Sequence, residues 1–521
     1  MDDTAWTQVA RDADLSEGVP MVVSAGEEKV LLVRYQGAVY AVGHTCPHYQ
    51  EKLEKGVLFG PEIVCKSHLA RLDVTTGRTI SPPAMSDLPV YPVRVEMGEV
   101  WIGPARMPGP PRAAGGADPR LILIIGAGAA GSAAAETLRR AGFAGRIVMV
   151  TREEEGPYDR PTLSKGFISG KVGEESLPLR GADFYAEQRI ELLSGRTLVS
   201  LDPQRRQARF DGGHTLAFDK ALIATGGDAK RLPVPGAEGC LLLRTAADAR
   251  LLRDMASRHQ SALLIGAGLI GLELAGSLRE RGLEVTVVAR EDFPLASLLG
   301  ERVSRHIRSL YEAQGVTFLM GRTPLHIGGP AGARQVTLSD GTRVQAGFVV
   351  MGVGIAPALD CLHGSGLAEN GAVPVDARMQ TRAPDIFAAG DIAAAPDADG
   401  GVRRVEHWAS AQRQGMRAAL CMLGADPGPV EPGFFWSRQA GVSLKYLGHA
   451  GSFDTVAYRG VVEEGKFLAG YYRGGVLKAA ATMGLAQDLV GIEQLMRRGK
   501  APDAALLSDA GWDIVTAAQR A

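Results

Sequence analysis

The sequence predicts a multidomain chain: an all-β domain, then an α/β module built on a repeated strand–turn–helix unit, then a closing strand-rich α+β domain. Three observations carry this. Residues 1–104 hold short runs such as KVLLVRY and AVYAVG, rich in β-branched residues and cut by Gly and Pro. The unit LILIIGAGAAGSAAAETLRRAG, an apolar strand, a Gly-rich turn and an Ala-rich helix, recurs as SALLIGAGLIGLELAGSLRERG at residues 261–282. From residue 401 onward, FFWSRQAGVSLKYLGHA and KFLAGYYRGGVLKAAATMG read as strands again. A length of 521 residues suits several domains of roughly 150 residues each.

The segment ARMPGPPRAAGGADP, residues 105–119, cannot build a core and reads as a linker. The expected units are therefore 1–104, the linker 105–119, a first nucleotide fold at 120–245 and 345–400, a second at 246–344, and a last domain at 401–521. With 45% hydrophobic and 22% charged residues, the composition is that of an ordinary globular protein. A net charge of −1 gives no general pull toward nucleic acid or membrane. No apolar run reaches the ~18 residues of a membrane span, and the acidic start MDDTAWTQVARDADL is not a secretory signal. Five Cys in so long a chain point to a reducing, cytoplasmic setting.

The first chemistry-bearing group is Cys46, His48, Cys65 and His68, arranged as C-x-H and C-x-x-H loops separated by residues 49–64. A zinc site is the plainer alternative, but zinc fingers keep Cys with Cys and His with His. Here each loop supplies one thiolate and one imidazole. That suits two inequivalent irons, one held by two Cys and one by two His, the Rieske [2Fe–2S] arrangement. The stretch from SHLARLDV to GEVWIG resembles the second half of Rieske ferredoxin-type domains. High-potential respiratory Rieske proteins bridge their loops with a second Cys pair. By that resemblance the equivalent positions are Glu51 and Ser67, so the site is expected near the bottom of the range of about −150 to +300 mV. Rieske loops usually read C-P-x-H-G. Lys66 replaces that Pro, Leu69 replaces that Gly, and Gln50 stands where the first loop often has Gly, which leaves the loop conformation open. His44 is expected outside the ligand set.

The two repeats carry Gly126, Gly128 and Gly131, and Gly266, Gly268 and Gly271. Glycines at this spacing between a strand and a helix let a pyrophosphate approach the helix N-terminus, so two dinucleotide-binding, Rossmann-like folds follow. A ribose-binding carboxylate is wanted ~20 residues on, and MVTREE supplies Glu153. In the second copy VTVVAREDF puts Ala289, Arg290 and Glu291 at the strand end. Arg290 suits a 2′-phosphate and Glu291 a ribose hydroxyl, so NADH and NADPH stay open with NADH favoured.

The segment PYDRPTLSKGF resembles the Tyr-Asp-Arg-Pro-x-Leu-Ser-Lys signature of oxygenase-coupled ferredoxin reductases and apoptosis-inducing-factor-like flavoproteins. The whole chain resembles the Rieske-fused branch of that family. The resemblance implies FAD on the first fold, with Arg160 and Lys165 contacting the flavin and Lys165 near its reactive edge. Thr225 and Gly226 of IATGG and Gly390 and Asp391 of IFAAGDIA would return to the same cofactor, Asp391 to its ribityl chain. It implies NAD(P)H on the second fold, with Gly352 and Gly354 against it and Glu273 of GLELA paired to Lys165, the two being the candidate catalytic residues. Through EHWASAQRQG and FFWSRQ it makes Glu406, Trp408 and Trp436 candidate flavin or nicotinamide neighbours, Trp436 being equally readable as a core aromatic.

Nicotinamide gives two electrons at once, an iron–sulfur cluster takes one, and a flavin does both. The expected activity is an NAD(P)H-dependent flavoprotein reductase passing electrons from FAD to the Rieske cluster and on to an acceptor such as an oxygenase. The alternative is a redox-sensing flavoprotein of slow turnover. No 2-His-1-carboxylate signature is evident, so the acceptor is a partner or a small molecule. A disulfide reductase is disfavoured, because Lys165 stands where the redox Cys would be and Cys240, Cys361 and Cys421 are scattered. The acidic first domain is expected to dock on the slightly basic remainder, with the linker letting it move. A homodimer is left open.

Overall fold

The computed structural model describes residues 6–103, 118–398 and 400–521, and the expected linker lies almost wholly outside the described residues. Alternation along Glu28–Tyr35 puts Leu31 and Val33 on one face and Val30 and Leu32 on the other, and all four are fully buried. Both faces are covered because the strand lies between two small cores. Its own sheet is antiparallel, in the order Met21–Ala25, Glu28–Tyr35, Ala38–Gly43, Val90–Tyr91. A three-stranded sheet of Thr7–Arg11, Glu99–Ile102 and Val93–Glu96 closes the Val30 side. On the Leu31 side lies a second four-stranded sheet: Val57–Phe59, Glu62–Val64, Arg71–Asp73, Thr79–Ser81. The loop holding Cys46 and His48 leaves Ala38–Gly43, and the loop holding Cys65 and His68 leaves Glu62–Val64.

The two repeats fold alike. The first parallel sheet runs Ile190–Leu193, Arg146–Val150, Leu121–Ile125, Lys220–Ile223, Ile386–Ala388. The second runs Val316–Met320, Glu284–Ala289, Ser261–Ile265, Phe348–Met351. Each carries a three-stranded antiparallel excursion, at residues 198–217 and 324–346, before its next parallel strand. One boundary differs from expectation. Phe348–Met351 pairs with Ser261–Ile265, so the second fold runs past residue 344 and the chain rejoins the first sheet only at Ile386–Ala388. The cause is the run FVVM, buried at every residue, which completes the second sheet's apolar layer.

Helix Ala129–Arg140 packs closely on Trp408–Met422, and Gly415 permits it: a Cβ there would lie 2.1 Å from the Ala130 carbonyl oxygen. The last domain is a five-stranded antiparallel sheet, order Phe434–Gln439, Val442–Gly448, Val476–Met483, Lys466–Arg473, Thr455–Val461, followed by helices Ala486–Arg497, Ala504–Ser508 and Ile514–Arg520. Among the described residues no helix is long and apolar enough to cross a membrane.

The first and last domains share a core. Val57, Phe59, Val64 and Leu69 join one apolar cluster with Phe434, Leu489, Ile492 and Ile514. Beside it Arg71 pairs with Glu493, the two side chains 1% and 0% exposed, and also with Glu62 at 3.0 Å. Removing one partner of such a pair leaves a bare buried charge and costs ~3–5 kcal/mol. Gln487 donates to the Lys55 carbonyl (3.0 Å) and Gln519 to that of Leu58 (3.1 Å), extending the seam.

Candidate active site: a nucleotide cavity facing paired Cys and His loops

The two loops of the first domain are backbone copies of each other. Cys46 N–H donates to Glu51 O (2.8 Å) and accepts Gln50 N–H at its carbonyl (3.0 Å); Cys65 does the same with Ala70 O (2.9 Å) and Leu69 N–H (3.0 Å). The fifth residue of each loop must turn left-handed, with φ of +56° at Gln50 and +59° at Leu69. These are the two positions where glycine was expected, so both departures keep the glycine backbone. For Leu69 the strain of roughly 1–2 kcal/mol is offset by full burial of its side chain, worth about 1.5–3 kcal/mol.

The loops bring the four candidate ligands together in pairs. The Cys46 thiol hydrogen-bonds the Cys65 sulfur, which also accepts the Ser67 and His68 amides, and these bonds hold Cys65 below the ordinary thiol value. His48 Nδ1 lies 3.0 Å from His68 Nδ1. Burial pushes His48 down to about 4 and His68 well below its ordinary value, so both imidazoles are neutral, the form that binds metal. Two thiols with amide support on one side and two neutral imidazoles on the other fit a cluster with two inequivalent irons. Where a second Cys pair would bridge the loops, Ser67 Oγ donates to Glu51 Oε2 at 2.6 Å. His44 Nδ1 faces the Lys29 carbonyl at 3.1 Å, outside the ligand group.

Between the two nucleotide folds and the last domain lies a cavity of about 590 Å³. Its glycines divide the work the same way twice. A Cβ on Gly126 would meet Ala224 O at 2.1 Å and one on Gly131 would meet Gly126 O at 1.8 Å, whereas one on Gly128 meets nothing within 4 Å. In the second fold the distances are 2.4 Å at Gly266, 2.3 Å at Gly271, and again nothing at Gly268. The outer glycines make the turn and the helix packing. The middle one leaves space on the cavity wall for a pyrophosphate, so the residues present fit a dinucleotide in each fold.

Lys165 and Glu273, one from each fold, meet on this wall with Nζ to Oε2 at 2.9 Å. Glu273 is buried and fully engaged, because Ser164 and Ser437 each donate a hydroxyl to it at 2.5 Å. Glu153, at the end of the first fold's second strand, accepts from Tyr158 (2.6 Å) and Arg160 (2.8 Å). Asp391 pairs with Arg244 at 2.9 Å. Thr225, Gly226, Gly390, Gly352, Gly354 and Trp408 line the cavity, as does Glu406, which pairs with Arg404. Arg290 and Glu291 pair with each other at 2.9 Å on the exposed strand end and do not reach the cavity wall.

Trp436 keeps both of its readings, since it also packs against the core of the last domain. It lines the cavity, and its ring stands 4.3 Å from the His68 ring and 5.5 Å from that of His48. Tyr49 makes a second link: it stacks on His48 at 3.9 Å, and its hydroxyl donates to Asp159 of the first nucleotide fold. Sequence reasoning did not single out Tyr49, Arg244, Ser164, Ser437 or His407. Three of these sit inside the quoted motifs, so the signal was there. His407, within EHW, lines the cavity against Phe435 (4.2 Å) and is pushed down to about 4 by burial. Nothing local marks Arg244. Cys240 and Cys421 are buried in apolar cores, and Cys361 borders the cavity.

Comparison with known proteins agrees with this architecture. The Rieske [2Fe-2S] domain family matches residues 5–92, the pyridine nucleotide-disulphide oxidoreductase family residues 120–415, and the reductase C-terminal family residues 434–518. The chain belongs to the pyridine nucleotide-disulphide oxidoreductases, as a Rieske-fused flavoprotein of the apoptosis-inducing-factor-like kind. Apoptosis-inducing factor 3 of Homo sapiens is 34% identical over 520 residues, covering 96% of this chain and 85% of the relative. The benzene 1,2-dioxygenase system ferredoxin–NAD(+) reductase subunit of Pseudomonas putida is 34% identical over 369 residues, covering 70% and 90%. Among solved structures, the covalent putidaredoxin reductase–putidaredoxin complex matches with a TM-score of 0.74 at 28% identity, over 77% of this chain and 99% of that one. The ferredoxin reductase for the CYP199A2 system from Rhodopseudomonas palustris matches at 0.73 and 31%, over 77% and 100%. The protein is thus an FAD-dependent NAD(P)H oxidoreductase of the ferredoxin-reductase type, with FAD, a Rieske cluster and a nicotinamide dinucleotide as its cofactors.

Proposed function

We propose that this chain carries electrons from NAD(P)H, by way of FAD, to its own Rieske cluster and from there to an acceptor such as an oxygenase component. FAD supplies the exchange between a hydride pair and single electrons. The observation that carries the reading is Trp436, which forms part of the nucleotide cavity on one side and touches both cluster-side imidazoles on the other. A conjugated ring in that place shortens the insulating gap between the two redox sites. The Lys165–Glu273 pair holds a cation and a carboxylate where the two dinucleotide folds meet, and the two serine hydroxyls fix the carboxylate's orientation. The acceptor assignment is supported by relatives named as reductases of benzene and anthranilate dioxygenase systems. Arg290 and Glu291 are the residues that would choose between NADPH and NADH, with NADH favoured because Glu291 neutralises Arg290. Anaerobic titration with NADH and then NADPH, followed by optical and EPR spectra, tests the scheme. Flavin bleaching together with a reduced Rieske signal supports it, and a cluster that stays oxidised beside reduced flavin overturns it.

A further inference from the structure

Of the four cluster-side residues, Cys46 and Cys65 are buried and His48 and His68 are half-buried. His68 is packed against Trp436, and the cluster loop itself enters the core of the last domain through Leu69, which is fully exposed nowhere and buried among Phe434, Leu489 and Ile514. Two residues further on, Arg71 reaches Glu493, and its Nη2 also bonds Gln494 Oε1 at 3.2 Å. Leu69 is the residue that departs from the glycine expected there, and it holds the glycine-like φ of +59° to deliver its side chain into the seam. Apolar contact and a dry ion pair make an interface of the permanent kind rather than the wet, polar kind of passing encounters.

We propose that Leu69 and Arg71 are positioning residues that lock the Rieske domain onto the last domain, fixing the cluster loops against Trp436 and closing that wall of the cavity to a separate ferredoxin. This rests on the proposed electron path and names its form: transfer within one rigid chain, with the external partner taking electrons from the Rieske domain and no soluble ferredoxin between them. It replaces the expectation of a domain that swings on its linker and docks by surface charge.

The test uses the full chain carrying FAD and cluster, mixed anaerobically with NADH in a stopped-flow instrument. A locked domain gives a cluster-reduction rate that is unchanged by added salt and by added viscogen. A swinging or electrostatically docked domain slows with both. Leu69→Gly is the informative variant, because glycine is at ease at this φ and the loop backbone is kept while the anchor is lost. Combined with Arg71→Met and Glu493→Gln, which strands no fully buried charge because Arg71's other partner, Glu62, is 31% exposed, it should slow cluster reduction at least roughly tenfold and make it sensitive to salt and viscosity. Flavin bleaching and the g values of the cluster should stay as they were. Hydrogen exchange across residues 62–73 should rise in the variant, a readout independent of turnover. Added soluble [2Fe–2S] ferredoxin should be reduced by the variant and not by the parent chain. Viscosity- or salt-dependent reduction in the parent chain, or competition by added ferredoxin, overturns the lock and leaves the electron path standing. Failure of NADH to reduce the cluster under any condition overturns the path itself.

Discussion

At the residue scale the glycines separate binding from folding. Gly128→Ala adds a methyl where no protein atom lies within 4 Å, so apoprotein stability should fall by about 1 kcal/mol or less while the purified protein loses much of its flavin. Gly131→Ala puts the same methyl 1.8 Å from the Gly126 carbonyl and should cost about 1–3 kcal/mol. Chemical denaturation of the two apoproteins, with flavin absorbance after purification, checks the contrast; equal flavin retention in Gly128→Ala would refute the role given to the open glycine. His407 gives a pH effect. Burial holds it down to about 4 in the folded chain against an ordinary 6.5, so the unfolded chain takes up the proton first as pH falls. The stability tied to neutral His407 is therefore complete above 6.5 and is lost between there and about 4, by at most about 3 kcal/mol. Apoprotein His407→Gln should show a shallower loss of stability between neutral pH and pH ~4.5 than the parent, and an unchanged slope would contradict the assignment.

At the element scale, much of the site was legible because its signals are local. A strand, three glycines and a helix specify one turn whichever protein holds them, and one-Cys-one-His loops specify a pair of pairs. Strand Phe434–Gln439 shows where local reading stops. Its alternation places Phe435 and Ser437 toward the nucleotide folds, but only the fold shows that Trp436 stands between the cavity and the imidazoles. Trp436→Ala should lower the rate of cluster reduction roughly tenfold or more, ~1.4 kcal/mol of barrier per factor of ten, and affect flavin bleaching less. Stopped-flow traces that slow equally in both phases would remove Trp436 from the path. The second fold's last strand was misplaced by the sequence reading for a related reason. FVVM is apolar throughout and carries no mark of which of two similar sheets it joins. The departures at Gln50 and Leu69 were visible as residue types, yet their meaning lay in a left-handed backbone and, for Leu69, in a distant core.

At the scale of the whole molecule, the sequence suggested a tethered domain and the fold shows a shared core. The Arg71–Glu493 contact joins residues 422 apart, and no pattern along the chain announces it. Arg71→Ala alone should destabilise the protein by ~3–5 kcal/mol, because it strands a buried carboxylate. Arg71→Met with Glu493→Gln should recover most of that loss, and denaturation midpoints of the two variants decide it. The repeated nucleotide fold bounded the class of protein correctly, because it is a property of the chain rather than of its assembly. The central claim is that the flavin and the cluster work as one circuit inside a single chain. Rapid-freeze EPR after anaerobic mixing with NADH tests it most directly. A reduced Rieske signal should rise after flavin bleaching at a rate independent of protein concentration; a rate that scales with protein concentration, or a cluster that stays oxidised while the flavin is reduced, would contradict a single-chain circuit.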